Sequence, residues 1–165
     1  MGMGKVEFVG QQYPDKDTMF QVSRRLDYAV RILVELGGYP PNTLVNTRLI
    51  AKGTGVPKAF LHKITADLVK AGLVHTTSGP AGGLNLVHVP KDITMLQIME
   101  AMEGPLLLNI CLLRPRECPR DVVCPAHGFW GNLQATVCQQ LQTTTLESLV
   151  VEAKRLKWVN NPNHK

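Results

Sequence analysis

The chain has few aromatic residues and no long hydrophobic run. Aromatic residues make up 5% of its 165 positions and hydrophobic residues 44%, so any core must be mainly aliphatic. No apolar run approaches the roughly 18 residues of a membrane-spanning helix, which argues against a helical membrane protein. Residues 1–18 lack the apolar segment of a secretory signal. We therefore expect a cytoplasmic protein with no membrane partner.

The sequence also lacks the residue sets of common enzymes. No Ser/His/Asp set, phosphate-cradling loop or pair of carboxylates stands out, so binding is favoured over catalysis. The formal net charge is +5, which favours an acidic partner such as nucleic acid. The length suffices for one domain with a real core and an appendage.

Cysteine is scarce, with four residues in the chain, but three of them are clustered. Cys111, Cys118 and Cys124 fall within CLLRPRECPRDVVCPAH, spaced C-x₆-C-x₅-C, and His127 follows. Three prolines in this stretch disfavour a continuous helix. Clustered thiolates bind soft metals, so the loop predicts an iron–sulfur or zinc site. Zinc is less favoured because the short C-x₂-C pairs are missing. Reduced thiols that pack or sense oxidants without metal are the alternative.

Helical spacing begins at Ser23 and predicts two helices in succession. The second is capped by Asn46, carries Leu49 and Ile50, and is broken by Gly53 and Gly55. The apolar face of the first is formed by Leu26, Ala29, Val30, Leu33 and Leu36, and Gly37 and Gly38 end it.

A third helix and a hairpin follow. The helix is predicted from near Pro57 to about Ala71. Its apolar positions are Phe60, Leu61, Ile64 and Leu68. The β-prone runs GLVHTT and LNLVHV flank the turn SGPAGG, which is typical of a β-hairpin. Three helices followed by a hairpin predict a winged helix-turn-helix, and hence DNA binding.

The last part of the chain is predicted to be helical on both sides of the cysteine loop. Thr94 and Gln97 fit a capping box that opens a helix ending at Gly104. Thr144 and Glu147 fit a second capping box before a C-terminal helix, and the tail from Asn160 is expected to fray.

The helix after Pro125 has one apolar stripe, Ala126, Trp130, Leu133, Val137 and Leu141. This stripe suits either a dimer seam or packing onto its own domain. Cys138 lies on the same helix and is interpreted as a packing cysteine.

These motifs together resemble the Rrf2 family of bacterial winged-helix regulators. The resemblance rests on SRRLDYAVRILVEL, LIAKGTGVPKAFLHKITADLVKAGLV, SGPAGGLNL, PKDITMLQIMEAMEGPL and the three-cysteine loop, in that order. It covers about residues 20 to 151. It implies a mainly α fold, a winged helix-turn-helix domain with a small β-hairpin wing and a long C-terminal dimerisation helix. The implied protein is a homodimer that binds a palindromic operator in double-stranded DNA.

The resemblance also implies a cofactor. Cluster-binding members hold a two-iron or four-iron iron–sulfur cluster in this loop, and Cys111, Cys118 and Cys124 occupy the positions of its three cysteine ligands. His127 matches the fourth ligand of the family's iron–sulfur cluster regulator. Asp27 matches the aspartate that its nitric-oxide-sensing repressor takes from the partner subunit. We favour His127; an ion pair with a neighbouring arginine is the alternative role for Asp27.

The residues expected to contact DNA lie on the second and third helices and on the wing. Arg48 and Lys58 are placed for phosphates. Ser78 stands where many family members have an arginine, which removes one DNA contact. The candidate base-reading positions are Ala59, His62 and Lys63, and the candidate wing positions are Ser78, Gly79, Gly82 and Gly83.

The predicted organisation has four parts. They are a flexible extension (1–18), a winged helix-turn-helix domain (19–104), a cysteine-rich loop (105–127) and the dimerisation and C-terminal helices (125–158). The expected function is a non-catalytic transcriptional regulator, for example a repressor, whose operator affinity follows redox, nitric-oxide or iron–sulfur status. The alternative is a cluster-free regulator of the same fold that responds to a thiol oxidant, a small molecule or a protein partner.

Overall fold

A computed structural model describes residues 22–79, 81–114 and 117–159 of the protein, with only the backbone of Asp121. The predicted extension of residues 1–18 and the tail from Asn160 lie outside these ranges. Within the described part of the chain, no helix is both long and apolar enough to cross a membrane.

Three helices open the described part of the chain: α1 (Arg24–Gly37), α2 (Thr47–Thr54) and α3 (Lys58–Lys70). Ser23 caps α1 by accepting a hydrogen bond from the Leu26 amide. Asn46 caps α2 as predicted, accepting from the amide of Arg48. The prediction that Gly53 breaks α2 was wrong, because the helix continues through it. Gly55 ends α2 in the left-handed conformation that glycine adopts without steric cost.

The wing is a two-stranded antiparallel hairpin of β1 (Val74–Thr77) and β2 (Gly83–Leu86). Val74 pairs with Leu86 and Thr77 with Gly83, which leaves a short tip between the strands. Val45, just before α2, forms a bridge to Leu84. This bridge fixes the wing relative to the helix-turn-helix.

Four further helices follow the wing: α4 (Met95–Glu103), α5 (Ile110–Leu113), α6 (Pro125–Thr143) and α7 (Leu146–Val159). Short 3₁₀ turns lie at Pro90–Asp92 and Asp121–Val123. The capping box predicted for α4 is confirmed, since both of its hydrogen bonds between Thr94 and Gln97 are present. The described residues of the cysteine stretch form no continuous helix, as predicted: α5 carries Cys111, the second 3₁₀ turn lies before Cys124, and α6 begins at Pro125.

The cap of α7 differs from the prediction by one residue. Thr145, not Thr144, precedes the helix, and its hydroxyl accepts from the Ser148 amide at 3.3 Å. Around it the backbone is extended, because the Thr144 carbonyl accepts from Met95 and the Leu146 amide donates to Ile93. This pairing with the entry to α4 delays the start of the helix beyond the position that the sequence pattern indicated.

The core is aliphatic and unites α1–α4, the wing and α7. It contains Leu26, Ala29, Ile32, Leu33, Leu36, Val45, Ile50, Val56, Leu61, Ile64, Leu68, Leu73, Val74, Leu84, Ile93, Ile98, Met102, Leu146 and Val150. Phe60, predicted on the apolar face of α3, is instead 50% exposed and lies edge-to-face on Tyr28. Helix α6 contributes no fully buried residue, although all of its side chains are described. Its apolar stripe is partly covered within the chain: Trp130, Val137 and Leu141 are half-buried, whereas Leu133 is 38% exposed.

Candidate functional site

The predicted metal ligands surround one cavity. Cys111, Cys118, Cys124 and His127 all line a cavity of about 400 Å³. Cys111 comes from α5, Cys118 from the loop, Cys124 from the residue before α6, and His127 from the first turn of α6. Side chains up to 16 positions apart in the chain thus face one space.

Hydrogen bonds and packing hold this cavity against α6. The amide of Leu108 donates to the Gln134 side-chain oxygen at 3.0 Å, joining the segment before α5 to the middle of α6. Asn109 caps α5 by accepting from the Cys111 amide at 3.4 Å. Leu112 lies against Gly131, where an added Cβ would be 3.7 Å from the leucine side chain. The position of Cys111 therefore depends directly on α6.

The cavity is partly open to solvent and polar at one side. Cys118 is exposed, whereas Cys111, Cys124 and His127 are half-buried. Arg114 and Glu117, which also line the cavity, form an exposed ion pair at 3.5 Å. All four cysteines of the chain are free thiols. Sequence reasoning missed Arg114 and Glu117 as cavity residues, because no periodic pattern in the loop indicates which side chains turn inward.

The four candidate ligands share a cavity, but they are not arranged as a ready site for one metal ion. Among the described residues, no three His, Cys, Asp or Glu side chains converge closely enough to hold one metal ion. A structural zinc site requires four ligands at about 2.0–2.3 Å from one ion. A cluster spreads its irons over a larger volume and takes one thiolate or imidazole at each ligand position. Three cysteine thiols and one imidazole around a cavity are the types of donor that could hold an iron–sulfur cluster.

Asp27 lies apart from this cavity within its own chain. Its carboxylate forms an ion pair with Arg31 at 2.8 Å, and both side chains are about half-exposed. The guanidinium of Arg31 in turn lies over the Tyr28 ring, 5.7 Å from its centroid. Asp27 therefore has the ion-pair partner that the alternative interpretation expected. Cys138 is half-buried on α6 and does not line the cysteine cavity.

The predicted DNA-contacting residues of the helices are all exposed. Lys58, Ala59, His62 and Lys63 are exposed on α3, and Arg48 is exposed in the first turn of α2. Helix α3, which holds the place of the recognition helix in a winged helix-turn-helix, thus exposes two lysines and a histidine. Such side chains donate readily to phosphates and base edges.

The wing residues divide into exposed and packed positions. Ser78 and Gly79 are exposed, and Gly79 has a φ of 109°, which only glycine adopts readily. Gly82 is half-buried. Gly83 is buried, and a Cβ there would lie 2.6 Å from the Val45 carbonyl oxygen. This packing explains why position 83 is a glycine: the backbone of Val45 passes against it.

Comparisons with known proteins agree with this architecture. The model of the Rrf2 family, described as an iron-dependent transcriptional regulator, matches residues 22–152. Protein rrf2 of Nitratidesulfovibrio vulgaris is 30% identical over 139 residues, covering 81% of this chain and 89% of its own.

Two solved structures share the fold. The global cysteine regulator CymR of B. subtilis superposes with a TM-score of 0.65 at 26% identity, over 81% of this chain and 98% of CymR. IscR of T. potens gives a TM-score of 0.66 at 24% identity, over 83% of this chain and 90% of IscR. The family match covers most of the chain, and the winged helix-turn-helix and the exposed basic helix agree with it. This chain therefore belongs to the Rrf2 family of transcriptional regulators.

Proposed function

We propose that this regulator controls its operator affinity through an iron–sulfur cluster bound in the cysteine cavity. The observation that carries the proposal is the common cavity of Cys111, Cys118, Cys124 and His127. The family description as iron-dependent supports the choice of metal. When bound, the cluster would supply redox and nitric-oxide chemistry at its irons, which the thiolates would hold.

His127 is the fourth ligand that the geometry favours. It lines the cavity with the three cysteines, on the first turn of the helix that Cys124 precedes. Asp27 would have to come from a second subunit and would have to leave its 2.8 Å ion pair with Arg31. Replacement of His127 should therefore weaken metal retention more than replacement of Asp27.

The cavity has a direct structural path to the DNA-binding domain. The loop that supplies Cys111 follows α4, and Ile98 and Met102 of α4 belong to the domain core. The same loop is tied to α6 through Leu108 and Gln134. A change in the order of this loop would therefore alter how α6 is held against the winged helix-turn-helix.

The proposal includes a homodimer formed through α6. The helix is 19 residues long and has no fully buried residue in this chain, so its stripe would pack on the same helix of a second copy. Two recognition helices would then enter successive major grooves of a palindromic operator. Movement of α6 would change the separation of those helices and hence the operator affinity.

Anaerobic purification tests the proposal. We expect a coloured protein with stoichiometric iron and sulfide, which Cys118→Ser loses and Cys138→Ser retains. Of the two candidate fourth ligands, His127→Ala should lose more iron than Asp27→Ala. Holo and apo protein should differ in affinity for an operator selected from random DNA; equal affinities would contradict cluster control.

The second candidate is a cluster-free regulator that responds to a thiol oxidant, a small molecule or a protein partner. The observation that favours it is the similarity to CymR, described as a global cysteine regulator. It predicts colourless protein without iron, and operator binding that is unchanged when Cys111, Cys118 and Cys124 are all serine. Bound zinc that resists oxidants would instead support a structural metal site.

A further inference from the structure

A second cavity lies between the recognition helix and the wing. This groove has a volume of about 540 Å³. His62 and Thr65 of α3 line one side, Thr76 and Thr77 of β1 line the other, and Thr47 lies at the start of α2. Four of these five side chains carry a neutral hydroxyl, in contrast to the lysines on the exposed part of α3.

The position of the groove indicates its occupant. In a duplex the major and minor grooves are separated by one sugar–phosphate backbone. A recognition helix in the major groove and a wing in the adjacent minor groove must therefore lie on either side of that backbone. The space between α3 and β1 is where the strand would pass. Hydroxyls are common donors to phosphate oxygens.

We propose that this groove, called the threonine groove, holds a DNA backbone phosphate through the hydroxyls of Thr65 and Thr76. The inference rests on the proposed DNA-binding function and adds two threonines, with their ligand chemistry, to the predicted contacts of His62 and the wing glycines in this groove. Thr76 is exposed on β1 and lines the groove.

Thr65 supplies the second observation. The residue is 8% exposed, and its Oγ1 has no hydrogen-bond partner among the described residues. A buried hydroxyl without a partner is destabilising, and threonine in a helix normally bonds the carbonyl four residues earlier. Rotation about χ1 to another staggered rotamer can place the hydroxyl where the methyl group now lies, and here it breaks no hydrogen bond. A phosphate in the groove would give this hydroxyl the acceptor that it lacks.

Neutral hydrogen-bond donors and lysines affect the salt dependence of operator affinity differently. Each phosphate that a lysine neutralises releases counterions, so operator affinity falls more steeply with salt concentration. A hydroxyl strengthens binding without adding to that slope. The threonine groove should therefore contribute affinity at every salt concentration, whereas Lys58 and Lys63 should set the slope.

The test uses valine, which has the shape of threonine without the hydroxyl. The ligand is an operator selected from random DNA by the wild-type protein, and affinity is measured across a salt series. We expect Thr65→Val and Thr76→Val each to weaken binding about tenfold, as a lost hydrogen bond to a charged group would, with the slope unchanged. Thr65→Ser should restore most of the affinity. Lys58→Gln should lower the slope by about one.

Two controls separate this role from folding. Thr143→Val, on the exposed end of α6, should bind like the wild type. Thr65→Val should unfold at the same or a higher temperature than the wild type, because it removes a buried hydroxyl without a partner. Weaker DNA binding in a protein that is at least as stable assigns the loss to the missing contact.

Modified DNA then identifies the phosphate. Operators carrying one methylphosphonate at successive positions lose a single backbone charge each. When the methylphosphonate lies at one particular position in each half-site, the Thr65→Val variant and the wild type should bind the operator with equal affinity. If both valine variants bind unmodified operator like the wild type, or if their loss persists with every modified operator, the inference is overturned. If the wild-type protein selects no DNA at all, the proposed function itself fails.

Discussion

At the scale of single residues, the glycines of the wing have two different physical reasons to be glycine. Gly79 needs its positive φ, and a Cβ there would meet nothing within 4 Å. Gly82 has an ordinary φ but no room, because a Cβ would overlap the Thr77 carbonyl oxygen. Gly79 is therefore required by conformation and Gly82 by close approach of the backbone.

Gly82→Ala should open the wing tip. The added methyl group collides with backbone, which cannot move as a flexible side chain does, so the hairpin must shift. We expect a loss of about 1 kcal/mol or more in the free energy of unfolding. Operator affinity should fall as well, because the wing would no longer be placed to enter the minor groove of the DNA. Urea denaturation and fluorescence anisotropy with labelled operator measure the two effects.

Ala81→Ser is the matched control, because Ala81 is exposed at the same tip. It should leave both quantities unchanged. A Gly82→Ala protein with wild-type stability and wild-type affinity would show that the tip can relax around the methyl group, and the steric explanation would then be wrong.

At the scale of elements, helix α6 is only partly packed within one chain. Leu133, in the apolar stripe, is 38% exposed, and Phe129, beside the stripe, is 59% exposed, although both are large and apolar. Such side chains on one long helix are typical of a surface that packs against another protein. The sequence pattern left open whether this stripe packs onto its own domain. In the structure, none of the stripe residues is fully buried within the chain.

Leu133→Asp combined with Val137→Asp should convert the proposed dimer to a monomer. Two carboxylates in an apolar seam would be desolvated without partners, which is strongly unfavourable. Sedimentation velocity should show the change, while circular dichroism should retain the helical signal. Gln139→Glu places a charge on the opposite face and should remain dimeric. A wild-type protein that sediments as a monomer at micromolar concentration would contradict the proposed seam.

The helices and the wing were predictable from sequence because each has a periodic or local signal. Apolar spacing identified α1 to α3, the Thr94–Gln97 pair identified the start of α4, and Pro125 marked the start of α6. For the cavity, the sequence predicted the cysteine and histidine residues but not their arrangement. The turn of α5 and the place of Arg114 in the cavity wall have no periodic signal in the sequence. The start of α7 was missed by one residue because backbone pairing with Ile93 and Met95 overrides the local capping pattern.

At the scale of the whole molecule, α7 closes the fold. The sequence grouped it with the dimerisation helix, but Leu146 is fully buried and Val150 is 5% exposed in the same core as α1. Beyond them, Lys157 lies 3.4 Å from the Glu35 carboxylate. That carboxylate occupies the space beside Gly53 of α2, where an added Cβ would lie 2.7 Å from it. The C-terminal helix thus contacts the helix-turn-helix as well as following α6.

This arrangement predicts that the DNA-binding domain depends on α7 for its stability. Leu146→Ala removes a fully buried side chain and should lower the free energy of unfolding by about 2–5 kcal/mol. Val151→Ala, at a position that is 61% exposed, should change it by less than about 0.5 kcal/mol. Chemical denaturation should give one cooperative transition for both variants. If Leu146→Ala instead melts α7 separately while operator binding survives, α7 is an appendage and the core ends at α4.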